Sequence, residues 1–374
     1  MKEDIMWMLT TNKDWDSLEE KFDWVQDMEA VPQDPVHHAE GNVAIHTRMV
    51  MEALQQLAGY KRLPAQEQEI LWAAALLHDV EKRSTTVHEP DGSITSKGHS
   101  KKGAATARQI LYTELPAPFT IREQIVQLVR FHGQPIWAIE RRDPARTVIE
   151  TALMVNTQLL SLLARADALG RICDDRHDLL YRIDLFEALC QEHDCWGKPK
   201  AFKTPNAQYH YFNKQGSAPD FVPYDDFGAT VVMLCGLPGS GKDTYVRQHY
   251  KDWPVVNLDE IRRAHKISPT DKSGNGTVVQ LAKEQAREHL RKKRSFVWNA
   301  TNITRQMRSQ LIDLFVTYKA YVKIVYVEVP YQKLHVQNKH REAVVPKNAV
   351  DKLVAKLEVP APWEAHEVSY YIKD

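Results

Sequence analysis

The chain has 374 residues, which is more than a single domain usually contains and enough for two independent cores. Hydrophobic residues make up 43% and charged residues 26%; this balance is typical of soluble globular proteins, and no apolar run is long enough to span a bilayer. Lysine and arginine together number 49, as do aspartate and glutamate, so only local patches such as the basic run 291–294 could attract a polyanion.

The four cysteines match neither a zinc ribbon nor a disulfide framework, which favours buried, reduced thiols. The acidic N-terminal region lacks the apolar core of a signal peptide. We therefore expect a cytoplasmic protein that does not enter a membrane.

Residues 1–195 show helical periodicity almost throughout and contain no β-branched run of strand length. The clearest helical segments are 43–57, 66–77, 101–111, 121–131 and 147–169. This half of the chain is predicted to be an all-α domain.

The pattern changes twice after that domain. Residues 196–228 combine prolines and glycines with aromatic residues, which indicates a linker that packs on a domain. Residues 229–374 then alternate between strands and helices, with strands expected at 230–235, 255–258, 295–299 and 321–329. This alternation predicts an α/β domain with a parallel sheet.

Six polar residues of the first half lie on otherwise apolar helical faces. His78 and Asp79 form a doublet at a helix end, and the others are His46, His99, His132 and Asp167. Burying such groups costs several kcal/mol unless they are paired, and a divalent cation bound by imidazoles and carboxylates would remove that cost. The alternative is a helical domain whose histidines only satisfy local hydrogen bonds.

These residues, in this order, resemble the HD-domain phosphohydrolases. Residues 35–171 are most similar to the HD module of bacterial transfer-RNA nucleotidyltransferases, which hydrolyses 2′,3′-cyclic phosphates and 2′-phosphates at RNA ends, and the resemblance covers about residues 30–190. It implies core metal ligands at His46, His78, Asp79 and Asp167, and a second metal position at His99 and His132. It also implies that Lys82 faces the phosphate and that His38 donates a proton or contacts the substrate. The imidazole-rich ligand set favours a transition metal such as Mn²⁺, Ni²⁺ or Co²⁺.

A phosphate-binding loop stands in the second half, after a buried strand and before a helix. The residues expected to bind the nucleotide are Gly236, Gly239, Ser240, Gly241, Lys242, Asp243 and Thr244. The glycines let backbone amides face the phosphates, Lys242 neutralises phosphate oxygens, and the helix N-terminus adds positive charge. We expect ATP or another NTP with Mg²⁺. Asp243 stands where a Ser or Thr is usual, so Thr244 need not ligate the metal directly; a chance glycine turn is the alternative.

Further polar residues follow the later strands. Asp259 is expected to accept the proton of an attacking hydroxyl, and Arg262 to bind a substrate phosphate; the alternative is a helix N-cap at Asp259 with a solvated arginine. The polar residues from Asn299 to Asn302 are expected to face the same edge. Arg341, in a basic segment before a proline, is expected to act as a lid cation at the nucleotide, or else to be a solvated helix end.

Together these elements resemble the phage-type 5′-hydroxyl polynucleotide kinases over about residues 228–374. The whole chain is similar to the bacterial bifunctional end-healing enzymes called HD-Pnk. The resemblance implies removal of a cyclic phosphate from the 3′ end of a broken RNA, phosphorylation of 5′-hydroxyl ends of RNA or DNA, and sealing by a separate ligase. Two alternatives stay open: an enzyme pair acting on a small nucleoside or nucleotide, and a regulatory protein that only binds nucleotides.

Overall fold

The computed structural model describes residues 6–268, 271–340 and 344–373. The chain divides into two compact units, Met1–Lys200 and Ala201–Asp374. Each unit has its own core.

The first unit is a helical domain, as predicted, with one short antiparallel hairpin formed by β1 (Val87–His88) and β2 (Ile94–Thr95). Two 3₁₀ turns, Asp27–Ala30 and Ala138–Glu140, accompany the helices. The helices are α1 (Trp15–Lys21), α2 (Asp23–Gln26), α3 (Val43–Gln56), α4 (Ala58–Lys61), α5 (Ala65–Leu77), α6 (Lys82–Thr85), α7 (His99–Thr113), α8 (Phe119–Phe131), α9 (Gln134–Trp137), α10 (Pro144–Met154), α11 (Thr157–Leu169) and α12 (Arg176–Glu192).

Helix α5 forms the centre of this unit. Every residue from Glu69 to Leu77 is buried, which is the pattern of a helix surrounded by others rather than of an amphipathic surface helix. It packs against α3, α8 and α11. Because the histidine–aspartate doublet follows the last residue of α5, the doublet lies inside the domain.

The segment 147–169 is not one helix, contrary to the prediction. It divides into α10 and α11, which meet at an angle of 105°. The break follows from Asn156, whose side-chain oxygen accepts hydrogen bonds from the backbone N–H groups of Gln158 and Leu159 and so begins α11. Among the described residues, no single helix is both long and apolar enough to cross a membrane; this bent pair meets that standard by length and composition alone.

The second unit is the predicted α/β domain. Its five strands are all parallel, in the order β4-β5-β3-β6-β7. The strands are β3 (Ala229–Cys235), β4 (Val255–Asn257), β5 (Phe296–Asn299), β6 (Ala320–Glu328) and β7 (Glu367–Ile372). The helices are α13 (Pro205–Asn213), α14 (Lys242–His249), α15 (Leu258–Ala264), α16 (Lys272–Arg291), α17 (Arg305–Thr317), α18 (Tyr331–Lys339) and α19 (Lys347–Val354).

Strand β7 was not predicted, and the segment expected to be a linker contains a helix, α13. This helix packs within the second unit. The side chain of Gln208 donates to the carbonyl of Pro362 at 2.9 Å, that of Asn213 donates to the carbonyl of Trp363 at 3.2 Å, and the Tyr209 ring lies 4.2 Å from the His366 ring. Residues 205–213 are therefore part of the α/β unit.

Candidate functional site

Five helical elements bring the six polar residues of the first unit together. His46 comes from α3, His78 and Asp79 from the end of α5, and His99 from the start of α7. The other two are His132, at the end of α8, and Asp167, on α11. All are buried except His99, which is partly exposed. The residues that the sequence singled out thus surround one centre.

Backbone carbonyls fix the orientation of three of these histidines. Nδ1 of His78 lies 2.7 Å from the carbonyl oxygen of Ala75, and Nδ1 of His99 lies 2.7 Å from that of Ser96. Nδ1 of His132 lies 2.8 Å from the carbonyl oxygen of Val129. A carbonyl oxygen only accepts, so each Nδ1 carries a proton, and Nε2 is the ring atom that is available to a metal ion when the ring is neutral. All three Nε2 atoms face Asp79.

Asp79 lies between two groups of possible metal ligands. One carboxylate oxygen, Oδ2, is 3.3 Å from His78 Nε2 and 3.8 Å from His46 Nε2. The other oxygen, Oδ1, is 3.4 Å from His99 Nε2 and 3.8 Å from His132 Nε2. Each group, taken with Asp79, is compact enough to hold a metal ion, and Asp79 belongs to both.

The unpaired atoms of this centre fit a divalent cation. The Nε2 atoms of His99 and His132 face each other at 3.3 Å, with both protons on the far side of the rings. Within the described chain, neither His78 Nε2 nor Asp79 Oδ1 has a hydrogen bond of normal geometry, although both are buried. Burial, followed by the charges of His78 and His99, lowers the pKa of His132 to about 3, so its ring stays neutral and able to ligate.

Two cations accompany the carboxylates. Lys82 Nζ lies 2.7 Å from Asp79 Oδ2 and donates to Gln33 at 2.6 Å. Arg171 binds Asp167 through two hydrogen bonds, of 2.7 and 3.1 Å. Burial opposes ionisation of Asp79, but Lys82 and His78 outweigh it and hold the pKa of this carboxyl well below its usual value. Both acids are therefore charged, as metal ligation requires.

His38 lies at the edge of the centre and shares one carboxylate with His46. Oε1 of Glu40 is 2.8 Å from Nδ1 of His38 and 2.9 Å from Nδ1 of His46. Burial lowers the pKa of His38 to about 4, despite its bond to Glu40. The sequence did not single out Glu40, Gln33 or Arg171 as site residues, and only Arg171 had a local signal, since it stands four residues after Asp167, just beyond the end of α11.

In the second unit, the glycine loop connects β3 to α14. Gly236 has a φ of 152°, and a Cβ at this position would overlap the carbonyl oxygen of Val327. Gly239 has a φ of 85°, and a Cβ there would lie 2.9 Å from the carbonyl oxygen of Leu334. Gly241, also with positive φ, precedes the first helical residue, Lys242. The backbone conformation of the loop therefore depends on these glycines.

The polar side chains of the loop have defined positions. Lys242 Nζ donates to the carbonyls of Gly236 and Leu237, both at 2.9 Å, so it lies across the loop. Ser240 is buried, and its hydroxyl has no hydrogen-bond partner in the described ranges. The hydroxyl of Thr244 accepts from Arg247 at 3.3 Å. The arrangement matches a loop that can receive phosphate oxygens.

The carboxyl ends of β3, β5 and β4 place further polar groups beside the loop. Asp243 accepts a 2.6 Å hydrogen bond from Asn299 at the end of β5, and Asn299 is in register with Asn257 at the end of β4. Asn257, rather than Asp259, caps α15. Asp259 is paired with Arg262 at 2.6 Å. Arg262 is thus held in place by a neighbouring acid rather than solvated.

Two other sequence expectations at this edge have different outcomes. Asn302 does not face the active edge: it is buried and donates to the carbonyl of Leu234 at 2.6 Å. The turn after β5 needs a residue in the left-handed conformation, and Asn302, with a φ of 46°, adopts it while its side chain binds this carbonyl near the end of β3. Arg341 lies outside the described residues. Its expected role at the nucleotide stays a prediction.

Comparison with known proteins agrees with this division. Residues 43–172 match the HD domain family, and residues 231–360 match an AAA domain family. Three relatives share the name Multifunctional CCA protein. One from Aromatoleum aromaticum is 32% identical over 48% of this chain and 35% of the relative. One from Halorhodospira halophila is 33% identical over 32% of this chain and 26% of the relative. One from Methylococcus capsulatus is 30% identical over 43% of this chain and 32% of the relative.

The chain spans about a third of the length of these relatives or less. The HD domain implies a divalent metal, and the glycine loop implies a nucleotide with Mg²⁺. The chain therefore joins an HD domain to a P-loop kinase-like domain.

Proposed function

We propose that this protein repairs broken RNA ends: its HD domain removes a 2′,3′-cyclic phosphate or 2′-phosphate, and its P-loop domain phosphorylates a 5′-hydroxyl. The observation that carries the proposal is the Asp259–Arg262 pair, which follows edge strand β4 at the carboxyl end of the parallel sheet, the same end as the phosphate loop. A carboxylate and a guanidinium at this position suit an acceptor that has both a hydroxyl and a phosphate. The 5′ end of a polynucleotide has both.

In the HD domain, the metal would polarise a phosphoryl oxygen and lower the pKa of a bound water. The ligands from the protein would be His46, His78, Asp79 and Asp167, with His99 and His132 at a second position. Lys82 adjoins Asp79 and would neutralise the charge that develops on the phosphate. His38, which is neutral and bonded to Glu40, would contact the substrate at the edge of the centre.

In the P-loop domain, the loop amides and Lys242 would hold the triphosphate of the NTP. Asp259 would accept the proton of the 5′-hydroxyl as its oxygen forms a bond to the γ-phosphorus, while the bond from that phosphorus to the β-phosphate oxygen breaks. Arg262 would bind the first phosphate of the acceptor strand and so place its hydroxyl. Products would be the NDP and a 5′-phosphorylated end.

The test uses one RNA with a 5′-hydroxyl and a 2′,3′-cyclic phosphate. Label from γ-labelled ATP should appear at the 5′ end, and the cyclic phosphate should be lost. Lys242→Ala should abolish labelling and preserve hydrolysis, and His78→Ala should do the reverse, because each site lies within one unit. If a free nucleoside is labelled efficiently and RNA is not, the acceptor assignment is wrong. If either change abolishes both reactions in a folded protein, the two-site scheme is wrong.

A further inference from the structure

A basic and aromatic surface lies at the amino edge of the sheet, opposite the phosphate loop. Its cations are the run from Arg291 to Arg294, which ends α16 and precedes β5, together with Lys319, which precedes β6. Its aromatic side chains are Phe221 and Tyr224, in the segment that leads into β3. We call this set the amino-edge surface.

The basic and aromatic parts of this surface are adjacent. Lys319 forms an ion pair with Asp226, two residues after Tyr224, and its carbonyl accepts from the N–H of Gly228 at 2.9 Å. A Cβ added at Gly228 would lie 3.4 Å from Cγ of Lys293. The end of the segment that carries the aromatic side chains, residues 226–228, therefore lies against the two lysines.

The positive charge of the surface is largely uncompensated. No residue from Arg291 to Arg294 forms an ion pair within the described ranges, and all four are exposed. Two acids stand beside these five cations: Lys319 and, to a smaller extent, Lys293 lower the pKa of Asp226, and Asp225 accepts from the neutral side chain of Asn206. One or two cations would be enough to complement the C-terminus of α16. Four in succession repel one another, and a polyanion would relieve that repulsion.

Backbone conformation gives a second, independent observation. Lys293 and Lys319 have φ of 51° and 58°, and each follows a helix end in the left-handed conformation that glycine adopts most easily. Arg294 N–H bonds to the His289 carbonyl and Lys293 N–H to that of Leu290, which completes the helix-terminating motif. Lysine therefore occupies two positions of this surface where the backbone favours glycine, as it also does at Lys266 elsewhere in the unit.

The aromatic side chains suit stacking on bases. Tyr224 is 90% exposed, the highest value among the large hydrophobic side chains that the structure describes, and Phe221 is 50% exposed with its ring against His210. Exposed aromatic rings beside cations are the features by which proteins hold single-stranded nucleic acids, since unpaired bases stack on the rings while phosphates contact the cations.

We infer that the amino-edge surface binds single-stranded nucleic acid, as a docking site for the body of the strand whose 5′ end lies at the phosphate loop. The choice of a nucleic acid rests on the proposed function. Strand β3 has seven residues, so the two edges are about 20 Å apart. At about 3.4 Å per stacked nucleotide, a strand needs at least about six nucleotides to reach from one edge to the other. The surface thus serves long acceptors and not short ones.

The test measures binding without turnover. Fluorescence anisotropy gives the affinity of the full chain for labelled U12 and U4 RNA over a range of salt concentrations. The charge variant is Arg291→Gln with Lys292→Gln, and Lys61→Gln with Arg62→Gln is the matched control, since it neutralises an adjacent lysine and arginine in the first unit. Lys293→Gly removes a charge and places glycine at a position whose left-handed backbone conformation favours it. Tyr224→Ala removes the most exposed aromatic ring of the surface.

The expected results test the docking site separately from the kinase reaction. The charge variant should lower the salt slope for U12 by about 1.4, which is two single-strand phosphate contacts, and Tyr224→Ala should weaken U12 binding about fivefold or more. Lys293→Gly should keep its melting temperature and lose affinity for U12. The control should leave U12 binding unchanged, and no amino-edge variant should alter phosphate transfer to U4.

Unchanged affinity of U12 in the charge variant and in Tyr224→Ala would overturn the inference, as would an equal loss in the control. A change in sedimentation of Tyr224→Ala with normal RNA affinity would also overturn it, because the surface would then bind protein. If U12 binding behaves as expected but no 5′-hydroxyl end is phosphorylated, the inference stands and the proposed kinase function is wrong.

Discussion

Replacing Glu40 by Gln should weaken metal binding in the HD domain without unfolding it. The Glu40 side chain is fully buried. One of its oxygens faces Nδ1 of both His38 and His46, and the other accepts from the N–H of Ile172 at 2.8 Å. Oε1 of Glu40, at 2.9 Å from Nδ1 of His46, holds one side of this ring, and Nε2 on the other side is directed at the centre, 3.1 Å from Asp167.

The size of the effect follows from this geometry. A glutamine has one oxygen and one NH₂ group, so in either orientation it places an N–H against the N–H of Ile172 or against those of the two histidines. The loss of one hydrogen bond to a charged group corresponds to about 1.5–3 kcal/mol, or roughly 10–150-fold in affinity. This agrees with the usual 10–100-fold effect of changing the hydrogen-bond partner of a metal-binding histidine.

Cobalt titration checks this prediction, because the visible absorption of bound Co²⁺ reports affinity without any reaction. Glu52→Gln is the matched control: it removes the same charge from α3, at an exposed position. The melting temperature of the metal-free variants shows whether the fold is intact. If Glu40→Gln binds Co²⁺ as tightly as the unaltered protein while its melting temperature falls, Glu40 supports the fold and does not orient His46.

Three further predictions follow from the two sites and the core of the second unit. Asp259→Asn should lower the rate of phosphate transfer by about 10²-fold or more with little change in nucleotide affinity. Arg262→Ala should also raise the KM for the oligonucleotide. Steady-state kinetics with both substrates checks these effects, and near-normal transfer by Asp259→Asn would refute the general-base role. Chelation should abolish phosphate removal, and Mn²⁺, Ni²⁺ or Co²⁺ should restore it better than Mg²⁺ in a phosphate-release assay; full recovery with Mg²⁺ alone would contradict the imidazole ligand set. Burial lowers the pKa of His366 from 6.5 to about 4, and its Nδ1 accepts from the N–H of Val322. The unfolded chain therefore binds a proton first as the pH falls, and about 3 kcal/mol of stability should be lost between pH 6.5 and 4. Urea unfolding of the unaltered protein and of His366→Gln measures this loss, and an identical pH dependence in both would exclude it.

The sequence predicted the order of the two domains and the fold class of each, because these depend on periodicities that are local. It did not predict the division between α10 and α11, although Asn156 is a good N-cap residue, since apolar residues continue on both sides of it. It also missed β7. That strand is only partly buried along its length, so it lacks the continuous apolar run by which β3 and β6 were recognised.

Side-chain contacts between residues far apart in the sequence account for most of what the sequence did not reveal. Arg308 is fully buried in the second unit and bound to Glu364 by hydrogen bonds of 2.6 and 2.8 Å, across 56 residues. It also donates to the carbonyl of Asn302 at 3.1 Å, and so supports the turn that meets the end of β3. Nothing in the sequence around Arg308 distinguishes it from an exposed arginine of an amphipathic helix. Only the folded chain shows its partner.

The two sites differ in how much of their geometry is encoded locally. The phosphate loop is built from consecutive backbone amides, so the spacing of its glycines almost specifies it. The HD centre needs five separate elements, yet part of its geometry is also local. His78 and His132 directly follow α5 and α8, where the last carbonyls of a helix lack backbone partners. Each ring satisfies such a carbonyl with its Nδ1 proton, three residues back, and its Nε2 then points beyond the helix end. The ring of each histidine is thus oriented by its own helix, and packing brings the end of α8 to Asp79, which follows the end of α5.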